Sequence, residues 1–142
     1  MTTAREIMSP DVQCIGENDT MAQAARLMAD LDVGALPICG EDGRLKGMLT
    51  DRDIVVKCLA EGGDPRQAHA GSLAEGKPVT IGVDDDIRDA LTTMETHQVR
   101  RLPVIDGHDL VGMISQADIA LSLSATETGE AVRAISEDSA GT

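Results

Sequence analysis

The sequence predicts an α/β (α+β) fold built from two tandem β-α-β-β-α units packed about a pseudo-twofold axis. Three observations predict it. The chain repeats itself in order, each repeat alternates short apolar runs with an amphipathic stretch, and turn residues recur at the same places in both. A shift of 66 residues lays Ile15-Gly16 on Ile81-Gly82, Asp19 on Asp85, Ala24 on Ala90, Met28 on Met94, Val33 on Val99 and Leu36-Pro37 on Leu102-Pro103. After the loss of one residue in the next turn, Gly47-Met48, Thr50 and Asp53-Ile54 meet Gly112-Met113, Ser115 and Asp118-Ile119. The period is too long for a solenoid, so a small domain has been duplicated.

Each repeat reads the same way. A lead-in (Ala4 to Met8, or Ala70 to Ala74) precedes a strand over Val12 to Ile15 or Pro78 to Val83. A helix follows. In the first repeat Asp19-Thr20 supplies a cap, Thr20-x-x-Gln23 fits a capping box, and Met21, Ala24, Ala25, Met28 and Leu31 form a stripe at helical spacing. In the second, Asp85 or Asp86 caps a helix with Ile87, Ala90, Leu91 and Met94 inward. Two strands come next, Ala35 to Cys39 and Leu45 to Leu49, or Leu102 to Ile105 and Leu110 to Ile114. Gly40 to Gly43 and Asp106 to Asp109 join them with residues that tolerate positive φ. A second helix begins at Thr50 or Ser115, and Ile54, Val55, Cys58 and Leu59 are expected on one face of the first of these. The expected divisions are a domain over 4–60, a linker over 61–69, a second domain over 70–123 and a polar tail over 124–142, in which Glu130 to Ile135 has the pattern of a short helix.

Composition bounds the function. The 142 residues are 42% hydrophobic and 26% charged, the balance of a globular chain. Phe, Trp and Tyr are absent, which excludes aromatic stacking platforms and aromatic cages for cations. A formal charge of −13 repels phosphate backbones and anionic lipid, so neither nucleic acid nor a membrane surface is an expected partner. No apolar run nears the roughly 18 residues of a membrane span, and residues 1–6 lack a signal core, so a cytoplasmic protein is expected. One unit of about 60 residues is marginal alone, so the two should pack on each other, and a homodimer is the commonest next step.

The sharpest motif is Gly-x-x-[Ser/Thr]-x-x-Asp, present as Gly47 to Asp53 and again as Gly112 to Asp118. It sets a hydroxyl and a carboxylate three residues apart where a strand turns into a helix. There, backbone N–H groups attract an anion, the hydroxyl can donate, and the carboxylate can accept both hydroxyls of a ribose. The glycine lets a ligand approach the backbone. The same spacing is also an N-terminal capping arrangement that needs no ligand. Cys14, Cys39 and Cys58 lack Cys-x-x-Cys spacing and His69, His97 and His108 are scattered, so no metal site is read and buried free thiols are the ordinary reading of all three cysteines. No nucleophile–base pair and no paired acid stand out, so no enzyme is expected.

These residues resemble a family, the cystathionine-β-synthase (CBS) domain pair or Bateman module. The carriers are Val33-Gly34-Ala35-Leu36-Pro37-Ile38, Gly47 to Ile54, His97 to Val104 and Gly112 to Ile119, and the resemblance covers residues 4 to about 123. It implies a regulatory module that binds AMP, ADP, ATP or S-adenosylmethionine between the repeats, with no cofactor required and an unknown downstream protein as partner. By resemblance, Asp53 and Asp118 would hold ribose and Thr50 and Ser115 would lie near phosphate. Apolar residues such as Ile15, Val33, Ile38, Ile81, Val99 and Val104 would clamp the adenine, so the missing aromatics are no obstacle, and Leu36, Pro37, Leu102, Pro103, Arg52, Arg100 and Arg101 complete the expected ligand-binding set.

The repeats differ where charge matters. Arg52 lies inside the first motif where the second has Ala117, and Arg100-Arg101 stand where the first has Gly34-Ala35. The two sites should therefore be unequal. In the CBS fold the segments carrying Cys14 and Cys39 lie close together, which makes a disulfide conceivable, while Thr80 and Ile105 in the second repeat show that the fold does not need one. Such a bond argues against a permanently reducing compartment. The alternative function is a ligand-free structural or interaction dimer.

Overall fold

The computed structural model describes residues 1–10, 12–74 and 78–123; the helix expected at 130–135 and the tail lie outside them. In chain order the elements are α1 (Ala4–Ile7), β1 (Ile15–Gly16), α2 (Met21–Leu31), β2 (Ala35–Cys39), β3 (Leu45–Thr50), α3 (Asp51–Asp53), a π-helical turn (Ile54–Leu59), a 3-10 turn (Ala70–Leu73), β4 (Ile81–Gly82), α4 (Ile87–His97), β5 (Arg101–Asp106), β6 (Asp109–Ser115) and α5 (Gln116–Ala120). Two three-stranded sheets result, ordered β1-β2-β3 and β4-β5-β6. In each, a two-residue first strand runs parallel to the second, which pairs antiparallel with the third.

The described residues form two compact units, one within Gln13–Pro78 and one from Met1–Val12 with Val79 to Leu123. Each lead-in therefore belongs to the unit of the other repeat. Ala4 and Arg5 N–H donate to the carbonyls of Asp85 and Val83, both at 3.0 Å, while Ala70 and Gly71 donate to Asp19 and Glu17 at 2.8 and 2.9 Å. These four bonds are equivalent under the repeat. They are long-range pairings between segments with no local signature.

The Gln13–Pro78 unit is cored by Ile15, Met21, Ala24, Met28, Leu36, Ile38, Leu49, Ile54, Cys58 and Ala70. The capping box at α2 is present, with Thr20 Oγ1 accepting from Gln23 N–H at 3.1 Å and Gln23 Oε1 accepting from Thr20 N–H at 2.8 Å. The expected stripe needs two corrections. Ala25 and Leu31 face solvent, and Leu27 packs on the core instead, because the inward arc is narrower than the apolar residues available. The second helix departs further. After one α-turn the backbone widens to i→i+5 bonding (Ala60 N–H to Val55 O, 2.8 Å), and Val55 and Leu59 turn outward at 55% and 51% exposure, leaving Ile54 and Cys58 buried.

The other unit is cored by Ala4, Ile81, Val83, Ile87, Ala90, Leu91, Met94, Leu102, Val104, Ile114 and Ile119, so all four expected α4 positions point inward. Asp86 caps α4 by accepting from Arg88 N–H at 3.0 Å; Asp85 accepts from Gly82 N–H at 2.9 Å. Strands β2, β3, β5 and β6 fall within one residue of expectation at each end, and Gly43 and Gly107 take positive φ in the turns. The first strand of each repeat is shorter than expected, since two residues of each pair with a neighbour, and β1 shares only Ile15 with the expected Val12 to Ile15.

Candidate functional site

Both motifs fold alike. Thr50 Oγ1 accepts from Asp53 N–H and Asp53 Oδ2 from Thr50 N–H, each at 3.0 Å. Ser115 Oγ accepts from Asp118 N–H at 3.1 Å, and Asp118 Oδ2 from Ser115 N–H at 2.8 Å. The capping role is thus real, but it does not exhaust these groups. Each hydroxyl keeps its own proton to donate and each carboxylate keeps Oδ1. Side by side and half-buried, they form a donor–acceptor pair.

The glycines need a correction. A Cβ on Gly47 would come within 3.2 Å of Ala74 Cα, and one on Gly112 within 3.0 Å of Ser9 O. The segment that approaches so closely is the exchanged lead-in of each unit, so these glycines serve the fold rather than ligand access.

The repeats diverge around the pairs. Asp53 Oδ1 meets Lys57 Nζ at 3.5 Å, whereas Ser122 holds the place of Lys57 and Asp118 has no ion pair among the described residues. In the ladders Ala35 pairs with Thr50 and Arg101 with Ser115, and partners across an antiparallel ladder share a face. Gln116 N–H donates to Arg100 O at 2.9 Å, which seats Arg100 beside the second motif. The equivalent bond in the first repeat runs from Asp51 N–H to Gly34 O at 3.0 Å, and the Asp51 carboxylate lies against Gly34. The first motif thus carries an extra acid where the second has Gln116, whose Nε2 is buried without a hydrogen-bond partner. Arg52, Arg100 and Arg101 are exposed and form no ion pair among the described residues. Lys57 carries a signal in its i,i+4 spacing from Asp53, whereas Asp51 and Gln116 are ordinary until the strand pairing is known.

The apolar residues do not form one surface. Ile15, Leu36, Pro37 and Ile38 are buried in one unit, and Ile81, Leu102, Pro103 and Val104 in the other. Val33 and Val99 are half-buried, each one residue before the carbonyl that accepts from Asp51 or Gln116 N–H. Asp19 and Asp85, expected among the helix caps, instead position the first strands. Asp19 accepts from Gly16 N–H at 2.9 Å, as Asp85 does from Gly82.

Cys14 and Cys39 form a disulfide with Cα atoms 5.9 Å apart, and Cys58 is a buried free thiol. Among the described residues no three His, Cys, Asp or Glu side chains gather to hold a metal, and no helix is long and apolar enough to cross a membrane. In the β2–β3 turn, Arg44 N–H, with Lys46 nearby, holds the Asp42 carboxyl below its ordinary range.

Two β-α-β-β-α repeats, each closing its sheet on a Ser/Thr-x-x-Asp pair, define a CBS-type pair. The CBS domain family model matches residues 4–59 and 70–125, and the chain belongs to that family. It is 52% identical over 135 residues to Hypoxic response protein 1 of Mycobacterium tuberculosis, covering 95% of this chain and 94% of that one. The crystal structure of Hypoxic Response Protein I with two coordinated zinc ions matches with a TM-score of 0.81 and 54% identity, over 87% of this chain and all of that one. The CBS domain pair of protein MJ0100, solved with 5-methylthioadenosine and S-adenosyl-L-methionine, matches with a TM-score of 0.75 at 24% identity, over 86% and 95% of the chains, which is a likeness of fold.

Proposed function

We propose that this chain is a non-catalytic regulatory module that binds an adenosine-type ligand, AMP, ADP, ATP or S-adenosylmethionine, at its Ser/Thr-x-x-Asp pairs. At most one of its two sites takes a nucleotide well, and that one lies at Ser115 and Asp118. The observation that carries this is the pairing of Arg101 with Ser115 beside the Asp118 carboxylate, which forms no ion pair among the described residues. On a chain of charge −13, a phosphate needs local cations, and the second motif supplies two without the opposing Asp51. The MJ0100 complex supports the ligand class; the choice of site rests on this chain's own residues.

Isothermal titration of the full chain with the three nucleotides and S-adenosylmethionine tests the reading. One binding event per chain, lost in Ser115→Ala/Asp118→Ala and kept in Thr50→Ala/Asp53→Ala, supports it. Two equivalent tight sites, or loss from the first-repeat variant instead, overturn the assignment.

A second reading, an interaction dimer without ligand, is favoured by one observation. Val55, Val56 and Leu59 expose 55%, 41% and 51% of their surfaces together on the π-helical turn. Under either reading the proposed homodimer has an apolar face to use. Sedimentation of Val55→Asp/Leu59→Asp checks this, since a monomer with an unchanged unfolding midpoint is the expected result. A chain that shows no ligand heat but dimerises through this face supports the second reading over the first.

A further inference from the structure

We infer that the Cys14–Cys39 disulfide is a redox-sensitive latch on the first repeat, holding β1 and the segment docked on it, and that reduction loosens the Thr50–Asp53 side alone. Strand β1 is only two residues long, anchored by the buried Ile15 and by the Gly16–Asp19 bond. It pairs through Ile15 with Ile38 and Gly16 with Cys39, and Glu17 N–H adds one bond to Cys39 O at 2.9 Å. The disulfide closes at the edge of this short ladder. Strand β4 provides an internal control. It has the same register and the same flanking bond, Val83 N–H to Ile105 O at 3.0 Å, with Thr80 and Ile105 in the cysteine places. A bond that the equivalent strand does without is available for regulation rather than required by the fold.

The strand is connected to the motif through the fold. Glu17 and Asp19 carbonyls receive Gly71 and Ala70 N–H, and Ala74, at the end of that segment, packs on Gly47, three residues before Thr50. The two arrangements that coupling needs are β1 held by the closed disulfide and β1 loosened by the open one. Cys14 and Cys39 are both half-buried, so a small thiol can reach them. A reductant thiolate attacks one sulfur to give a mixed disulfide and releases the other cysteine as a thiol after protonation. A second reductant thiol then displaces the mixed disulfide, leaving Cys14 and Cys39 as thiols and the reductant as its own disulfide, a two-electron, two-proton exchange.

Hydrogen exchange of the full chain, with and without dithiothreitol, tests the latch. Glu17 and Gly71 amides should exchange about tenfold faster or more under reductant, with Val83 and Arg5, their counterparts in the other unit, unchanged. No change at Glu17 and Gly71, or an equal change in both units, overturns it. Cys14→Thr/Cys39→Ile, which installs the second repeat's residues, should exchange like the reduced parent and ignore dithiothreitol. The reduced and alkylated parent gives the same reading if that variant does not fold. The consequence for ligand rests on the proposed adenosine function, but the exchange measurement does not. Loss of protection with no ligand heat keeps the latch and removes the ligand, whereas ligand heat with unresponsive amides does the reverse.

Discussion

Lys57 Nζ lies 3.5 Å from Asp53 Oδ1, and the second repeat has no counterpart because Ser122 occupies that place. The lysine is more than half exposed, so the pair adds little stability, roughly 0–1 kcal/mol. Its effect is to occupy the oxygen that the cap leaves over. Lys57→Ser should leave the unfolding midpoint nearly unchanged and raise the affinity of the first motif for uncharged adenosine, as read by calorimetry. An unchanged affinity would show that the lysine does not guard the carboxylate.

Arg101 should separate phosphate recognition from nucleoside recognition. A hydrogen bond to a charged group contributes roughly 1.5–3 kcal/mol, so Arg101→Ala should weaken AMP ten- to a hundredfold while adenosine binds as before. The reciprocal change, Ala35→Arg, places a cation opposite Thr50 and should improve AMP binding at the first motif. A parallel loss of AMP and adenosine in Arg101→Ala would mean that the arginine supports the fold instead.

Capping and binding can be told apart by a matched pair. Thr20 and Ser115 both cap through reciprocal bonds, and removal of either hydroxyl should cost about 1 kcal/mol. Thermal unfolding should therefore report similar losses for Thr20→Ala and Ser115→Ala. Only Ser115→Ala should also lose ligand heat.

Asp42 sets an acid-side prediction. Its carboxyl titrates below the ordinary value of 3.8, held there first by Arg44 N–H and then by Lys46. A depressed folded-state value stabilises the unit above the unfolded value, and that stabilisation is lost as pH falls through the folded one. Asp42→Asn should therefore be less stable than the parent near neutrality, with the gap closing below about pH 4. Denaturant midpoints across that range measure it; a constant gap would exclude the carboxylate charge as its cause.

What could be read without coordinates followed sequence distance. The hairpins were legible nearly to the residue because Gly43 and Gly107 sit in turns a few residues long. The caps at Thr20, Thr50 and Ser115 were legible because both partners lie three residues apart. The pairing of Arg101 with Ser115 was not, since it needs the ladder register. Nor was the exchange of lead-ins, which joins Ala4 to Asp85 and Ala70 to Asp19 across long stretches of chain. The widened turn at Ile54–Leu59 was missed for a different reason: its residues fit an ordinary α-helix equally well, and propensity does not report a change of pitch.

The exchange also orders events in time. Gln13–Pro78 is one uninterrupted stretch, so a chain emerging from the ribosome can complete that unit while the rest is still being made. Met1–Val12 is made before that unit yet must wait for Val79 and beyond before Ala4 and Arg5 find their acceptors. A segment translated ahead of that unit settles after it.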